Sequence, residues 1–544
     1  MTKPISPFAR YSVYFVLAVF NTQPVLANVV VDGTNTVVTS APNGTEVVNI
    51  AKPNSQGLSH NKYELFNVDK SGLVLNNSID QFGVSELAGV LEANLNLQGK
   101  AADVILNEVT SANRSQLEGY TEVFGQQANV IISNPYGITC DGCGFINTPR
   151  VTLATGAPHF DNEEFVGFDV QQGKINIEGL GLDASRQTYF DIISRTAEIN
   201  AEINAQQLDV ITGINRVNYA DNQAIAVQPT DAQSIEKPTV AIDTASLGGM
   251  YAGRIKLVAT EKGVGVNVGN LSASQGNLQI TADGKIVLGK ASATGDIDVA
   301  SNQQIALADS QVSKNNILLS APEITLTNTQ VLAGKQVKLT AQQLSMVTSQ
   351  LASGSEGEAQ PVEPSATSVD PLHAVQKTGT TELNVAQVEL DANSQIEGEN
   401  VRFANLVTLN NQGNVSAEET LAIEGDTTSL HGDGALQADT ININVSTNAH
   451  IDSDVIANSV LALNSEGRIE TSQSGQLISH GALKSNVAQL VHAGQMAGDT
   501  VTFTGGEVIV ASTGNISAIN TLNADLNRIE NSGVMAGGST VALN

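Results

Sequence analysis

Leu278-Gln279-Ile280-Thr281-Ala282-Asp283-Gly284-Lys285-Ile286-Val287-Leu288-Gly289-Lys290-Ala291-Ser292-Ala293-Thr294-Gly295-Asp296-Ile297-Asp298-Val299 carries three alternating apolar pairs, Leu278/Ile280, Ile286/Leu288 and Ile297/Val299. Alternation with period two sends both side chains of a pair to the same face of a strand. The pairs then recur. Leu278/Ile280, Ile297/Val299, Ile317/Leu319 and Val337/Leu339 step by 19, 20 and 20 residues. A second track, Ile286/Leu288, Ile305/Leu307, Ile324/Leu326 and Leu344/Met346, steps by 19, 19 and 20. A third is read through Ala273, Ala293, Val312, Val331 and Leu351. Three short strands per turn of about twenty residues place like faces above one another, the sequence sign of a solenoid. The predicted fold is all-β: a right-handed parallel β-helix whose rungs rise by about 4.8 Å, the spacing of paired strands. No long stretch carries a capped 3.6-residue apolar pattern, so helices are not expected.

The period returns after a break. Val401/Phe403, Leu421/Ile423, Ile441/Ile443 and Leu461/Leu463 each step by 20, and Val501/Phe503 and Val541/Leu543 continue two rungs apart. A companion track, Leu477, Met496, Ile516 and Met535, steps by 19, 20 and 19. Between the blocks, residues 352–381 hold Ser, Gly, Glu and three prolines with little alternation, which reads as a loop or flexible insertion. A rod of this kind exposes strand edges at both ends. The N-terminal 240 or so residues can supply one cap, whereas Thr540 to Asn544 stop inside a repeat, so the chain reads as uncapped at its C-terminus.

Lys3 and Arg10, the apolar run Tyr11 to Phe20, and the small-residue end Val25-Leu26-Ala27 form a cleavable secretory signal over residues 1–27. The apolar run is too short to span a bilayer. The mature chain from about Asn28 is expected to be soluble and extracytoplasmic. Removal of the signal takes away two basic and no acidic residues, leaving 24 basic against 55 acidic, or −31. That charge disfavours nucleic acid and anionic lipid as partners and suits solubility.

Asn134-Pro135-Tyr136-Gly137-Ile138 fits a turn: Pro presets φ in the second position and Asn bonds the backbone ahead of it. Cys140 and Cys143, the only cysteines, enclose just Asp141 and Gly142, so an oxidised pair would staple a tight corner. A redox pair is disfavoured because no βαβ pattern surrounds it. A zinc site is disfavoured because no second ligand pair follows. The seven histidines, His60, His159, His373, His431, His450, His480 and His492, show no metal or triad spacing, and His60 is expected to make a structural hydrogen bond. Parallel β-helices also serve polysaccharide-active enzymes, which need clustered acids and aromatic platforms. With no Trp, 8 Tyr, 15% charged residues, and Asp296, Asp298 and Asp309 scattered among the coils, catalysis is the least favoured reading. No cofactor is implied.

Four blocks then carry a family resemblance. They are Gly57-Leu58-Ser59-His60-Asn61-Lys62-Tyr63 with Phe66-Asn67-Val68; Val104-Ile105-Leu106-Asn107-Glu108-Val109; Asn134 to Arg150 with Val151-Thr152-Leu153; and Leu247-Gly248-Gly249-Met250-Tyr251-Ala252-Gly253-Arg254. The chain resembles the N-terminal secretion domain and following repeats of two-partner secretion exoproteins of the filamentous haemagglutinin, haemolysin and contact-dependent inhibition type. The resemblance implies a secretion domain over 28–270 with a cap and extra-helical hairpins, β-helix repeats over 271–351 and 382–544, and a location outside the Gram-negative outer membrane. It also implies export through an Omp85-type outer-membrane β-barrel, with a cell-surface receptor as a further partner. The whole would be an adhesin or toxin; a self-contained adhesin and a truncated haemolysin are the alternatives.

The residues that the resemblance marks for recognition and folding are Asn94, Asn96 and Leu97 in a first turn and Asn134, Pro135, Gly137 and Ile138 in a second. Cys140 and Cys143 match the cysteine-bearing subgroup. Two departures stand out: Leu95 replaces the proline of the first turn, and Tyr136 the second asparagine of the other. Without a preset φ the first turn is expected to be looser by about 0.4–1 kcal/mol.

Overall fold

The computed structural model describes residues 28–544 apart from 34, 230–235, 246 and 355–377. The signal over 1–27 and most of the 352–381 insertion therefore lie outside the described residues. What is described is a β-solenoid of about 20 turns, nearly all parallel strand, with one short 3-10 turn at Leu95–Leu97. No helix among the described residues is long and apolar enough to cross a membrane.

Two of the three apolar tracks stack as the sequence spacing implies. Leu278 and Ile280 lie against Ile297 and Val299, those against Ile317 and Leu319, and those against Val337 and Leu339. Ile286 and Leu288 pair with Ile305 and Leu307, then Ile324 and Leu326, then Leu344 and Met346. Nearly all of these side chains are fully buried inside the coil. Each burial is worth roughly 1.5–3 kcal/mol. A one-residue slip of a rung would turn them all outward, so the register is strongly held.

The third track is corrected. Ala293 faces Ser313, not Val312, and Val331 faces Gln311. The true column is Leu271, Ala291, Gln311, Val331 and Leu351, beside Ala273, Ala293, Ser313, Ala333 and Ser353. Both columns step by 20 throughout. Gln311 is buried because its amide donates to the carbonyls of Gly289 and Ala308 across the corner, where Asp309 takes a positive φ of 63°. An apolar Val312 beside a polar inward residue drew the reading one place too far.

The solenoid crosses the insertion without losing register. Gln350–Ser353 ends one side and Thr380–Leu390 begins the other, so residues 352, 353, 380 and 381 belong to strands. Leu339 stacks on Leu383, and Leu383 on Phe403. Beyond Leu463 the rungs step unevenly, through Leu483, Val501, Leu522 and Val541 in the place of Leu461, which is why every second rung kept the period of 40.

At the N-terminal end Val29–Val31 runs antiparallel to Leu58–Phe66, and Val37–Ser40 antiparallel to Glu46–Asn49, which then starts the parallel stack on Leu73–Asn77. Two antiparallel units sit outside the coil. One is the hairpin Phe82–Ser85 with Gly89–Glu92. The other is a four-stranded sheet of Ala157–Asp161, Glu164–Val170, Asn215–Asn218 and Ala224–Ala226. At the far end Val541 and Leu543 stack on the buried Leu522 and Ala524 and are themselves half-exposed.

Candidate functional site

The two predicted turns are built alike. Asn94 Oδ1 accepts from the Asn96 amide at 3.0 Å, and the Leu97 amide closes on the Asn94 carbonyl at 3.2 Å. Asn134 Oδ1 accepts from the Tyr136 amide at 3.0 Å, and the Gly137 amide closes on the Asn134 carbonyl at 3.0 Å. Each asparagine thus replaces two strand bonds with a local turn, a habit that suits Asn to such corners. Both side chains are buried, and their amide hydrogens reach neighbouring coil segments. Asn94 Nδ2 donates to the carbonyls of Ile50 and Asn76, both at 2.9 Å. Asn134 Nδ2 donates to the Asn113 carbonyl at 2.8 Å and to Ser115 Oγ at 3.0 Å. The two turns share no partner. They form one device used twice rather than one joint site.

Asn96 Nδ2 adds bonds to the carbonyls of Asn35 and Asn49, tying the first turn to the cap. Leu97, the last residue of the first turn, and Ile138, the first residue after the second, are fully buried. The two departures point outward instead: Leu95 is 88% exposed and Tyr136 48%. The missing proline has not cost the first turn its hydrogen bonds. Gly137 sits at φ +113°, and a Cβ there would meet the Lys174 carbonyl at 2.8 Å, so the second turn needs glycine.

One residue past that turn begins Ile138–Ile146, which holds both cysteines. Cys140 and Cys143 are joined, with Cα atoms 5.3 Å apart, and both are buried in the coil. The strand register shifts between Asp141 and Cys143 where it pairs with Lys174–Ala184. The disulfide therefore spans a corner, and Asp141 Oδ1 braces the facing corner by accepting from the Leu180 amide at 2.8 Å.

The groups that hold the two outer antiparallel units carried no signal of their own in the sequence. Glu122, buried in the coil wall, accepts from Ser85 Oγ at 2.6 Å and from the amides of Glu86 and Leu87 at 3.0 and 2.9 Å, fastening the first hairpin. Arg150 Nε lies 2.7 Å from Asp191 Oδ2, and its Nη2 donates to Asn222 Oδ1 at 2.9 Å. Asn222 returns a bond to Asp191 Oδ1 at 2.6 Å, and Thr152 adds one at 2.8 Å. The guanidinium also stands 4.2 Å over the Tyr219 ring. Burial pushes the Asp191 carboxyl up, opposed by Arg150 and by the bonds from Asn222 and Thr152.

Phe168, Val170 and Val217 of the outer sheet cover Leu106, Ile131, Ile193 and Ile211 on the coil. Strands so covered are apolar on both faces, as in Val130-Ile131-Ile132. That unbroken run was the available sign of the outer sheet. His60 Nε2 lies 2.7 Å from Glu108 Oε2, and its ring stacks on Phe160 at 5.4 Å, a structural contact between coil and sheet. Asp296 accepts from Asn316 and Asp309 from the Ser310 amide, so both serve corners.

Among the histidines, the fold brings two together that the sequence spacing leaves apart. Side chains of His431, His450 and Asp452 come together, their candidate ligand atoms all within 4.8 Å of one another. Residues 19 and 21 apart look unrelated in sequence, yet one coil brings them onto adjacent rungs.

Residues 27–288 match the TPS secretion domain family, TPS standing for two-partner secretion. A tRNA nuclease CdiA of Yersinia mollaretii is 49% identical over 334 residues, 61% of this chain and 11% of that protein. A 16S rRNA endonuclease CdiA of Enterobacter cloacae subsp. cloacae is 47% identical over 324 residues, 59% of this chain and 10% of that protein. The crystal structure of a filamentous hemagglutinin secretion domain aligns with a TM-score of 0.45 at 31% sequence identity, covering 60% of this chain and 97% of that one. The chain spans about a tenth of the length of the curated relatives it matches. A chain with a TPS secretion domain and CdiA relatives is a secreted or surface-displayed exoprotein of Gram-negative bacteria. More particularly, residues 27–288 carry a TPS secretion domain, and the chain is similar to the CdiA proteins over about a tenth of their length. Such a domain implies a transporter partner of the TPS family.

Proposed function

We propose that residues 28–270 address the chain to an Omp85-type outer-membrane β-barrel encoded beside it, and that the coils over 271–351 and 382–544 form a stalk assembled outside. The observation that carries this reading is the twin asparagine turn within a region matching the TPS domain. Asn94, Asn96, Leu97, Asn134, Pro135, Gly137 and Ile138 serve as address and as folding corner together. The disulfide suits the route because it closes a loop of only two intervening residues, which leaves the chain threadable. Rungs that pair mainly with their sequence neighbours let folding outside proceed coil by coil, a bias toward outward movement that needs no nucleotide. The relatives' names favour delivery of a toxin to neighbouring cells over a self-contained adhesin or a haemolysin.

Replacing Cys140 and Cys143 together by Ser, and Asn134 by Asp in a second variant, separates address from corner. The Asn134→Asp change keeps the acceptor for the Tyr136 amide and loses both donated bonds. The expected result is a fall in secretion larger than the fall in resistance of the refolded chain to protease. Full secretion by the Asn134→Asp variant would remove the second turn from the address.

A further inference from the structure

His431 ends the strand Asn414–His431, and His450 lies next to the end of Ala435–Ile451. Ser429 pairs with His450 and Leu430 with Ile451, so the following residues, His431 and Asp452, are neighbours on successive rungs. Leu430 and Ile451 between them are fully buried, which turns the two histidines and the aspartate to the outer wall. The result is a tile in which His450 and Asp452 share one rung and His431 sits on the next. The imidazole centroids are 5.6 Å apart and His431 Nδ1 is 4.0 Å from Asp452 Oδ2.

Asp452 is also held from behind. Its Oδ1 accepts from the hydroxyls of both Ser472 and Ser474, one rung further on, which leaves Oδ2 toward the histidines. Glu470 pairs with His450 in register and is engaged by Arg468 at 3.0 Å. Two imidazole nitrogens and one oriented carboxylate oxygen form the donor set of zinc and its transition-metal neighbours, with a position left for water or an outside ligand. Hydrogen bonds that orient a ligating carboxylate are the usual companions of such a site.

We propose that His431, His450 and Asp452 bind one divalent transition-metal cation of the zinc class on the outer wall of the solenoid, clasping adjacent rungs. The site is independent of the secretion domain and does not rest on the export reading.

The test uses the untagged secreted chain with Zn2+ alone, in equilibrium dialysis, and with Co2+ for its visible absorption. One strong equivalent is expected, with Co2+ bands showing a low-coordinate nitrogen and oxygen site. His431→Ala with His450→Ala should abolish that equivalent, and Asp452→Asn should weaken it at least tenfold. Ser472→Ala with Ser474→Ala should weaken it by about tenfold. His480→Ala, at an exposed histidine outside the tile, should change nothing. On the unaltered chain, Zn2+ should shield His431 and His450, but not His480, from carbethoxylation, a readout that needs no variant to fold. A chain with no strong equivalent, a double histidine variant that keeps it, or unshielded His431 and His450 would overturn the site.

Discussion

At the scale of single residues, buried polar groups hold this molecule at its corners, and the cost of losing one is set by the partner left behind. Arg150→Ala would strand the Asp191 carboxylate and free Tyr219 and Asn222, at a cost of about 3–5 kcal/mol as for other broken buried pairs. Hydrogen exchange over residues 157–226 should quicken in that variant while exchange in the far coils stays unchanged. His492 gives a pH dependence. It is fully buried, bonded to Thr471 at 2.7 Å and close to the Asn515 carbonyl, and burial pushes its imidazole below its ordinary 6.5. Between the folded and unfolded values the unfolded chain binds the extra proton, so stability rises with pH there. Protection of residues 471–515 should be complete above about pH 6.5 and fall as the pH is lowered below it, measured by hydrogen exchange. His492→Asn should flatten that fall.

At the scale of elements, the turns invite repair. Asn94 sits at φ −80° and ψ 105°, the extended region that a residue before proline prefers, and Leu95 opens a 3-10 turn. Leu95→Pro should therefore raise stability by about 0.4–1 kcal/mol through the unfolded chain, seen as a higher urea midpoint for the first coils. Gly137→Ala should do the reverse, since φ +113° and the close Lys174 carbonyl both oppose it. The strands themselves were legible because inward residues of most rungs are apolar and their partners 19 or 20 residues away are apolar too. Legibility failed at Gln311, where a corner bond holds a polar side chain inside, and at the outer sheet, whose covering of the coil shows only as unbroken apolar runs. The turn residues could be read as turns, but Glu122, Asp191 and Asn222 could not be read as anchors, because the partners that hold the outer units lie 31 to 72 positions away without a period.

At the scale of the whole molecule, a solenoid tolerates change between rungs far better than within them. Gly354 and Gly379 abut where the chain leaves and rejoins the coil. Deleting 355–377 should leave the β circular dichroism and the unfolding midpoint of the flanking rungs unchanged. The same architecture hid the His431, His450 and Asp452 tile, since only stacking makes neighbours of residues a full coil apart. The central claim, a secretion domain that hands the chain to a barrel partner, is tested most directly by expressing this chain in cells with and without the outer-membrane protein encoded beside it. Folded, protease-resistant protein should appear outside only when the partner is present. Equal release in both, or retention in the periplasm in both, would contradict it.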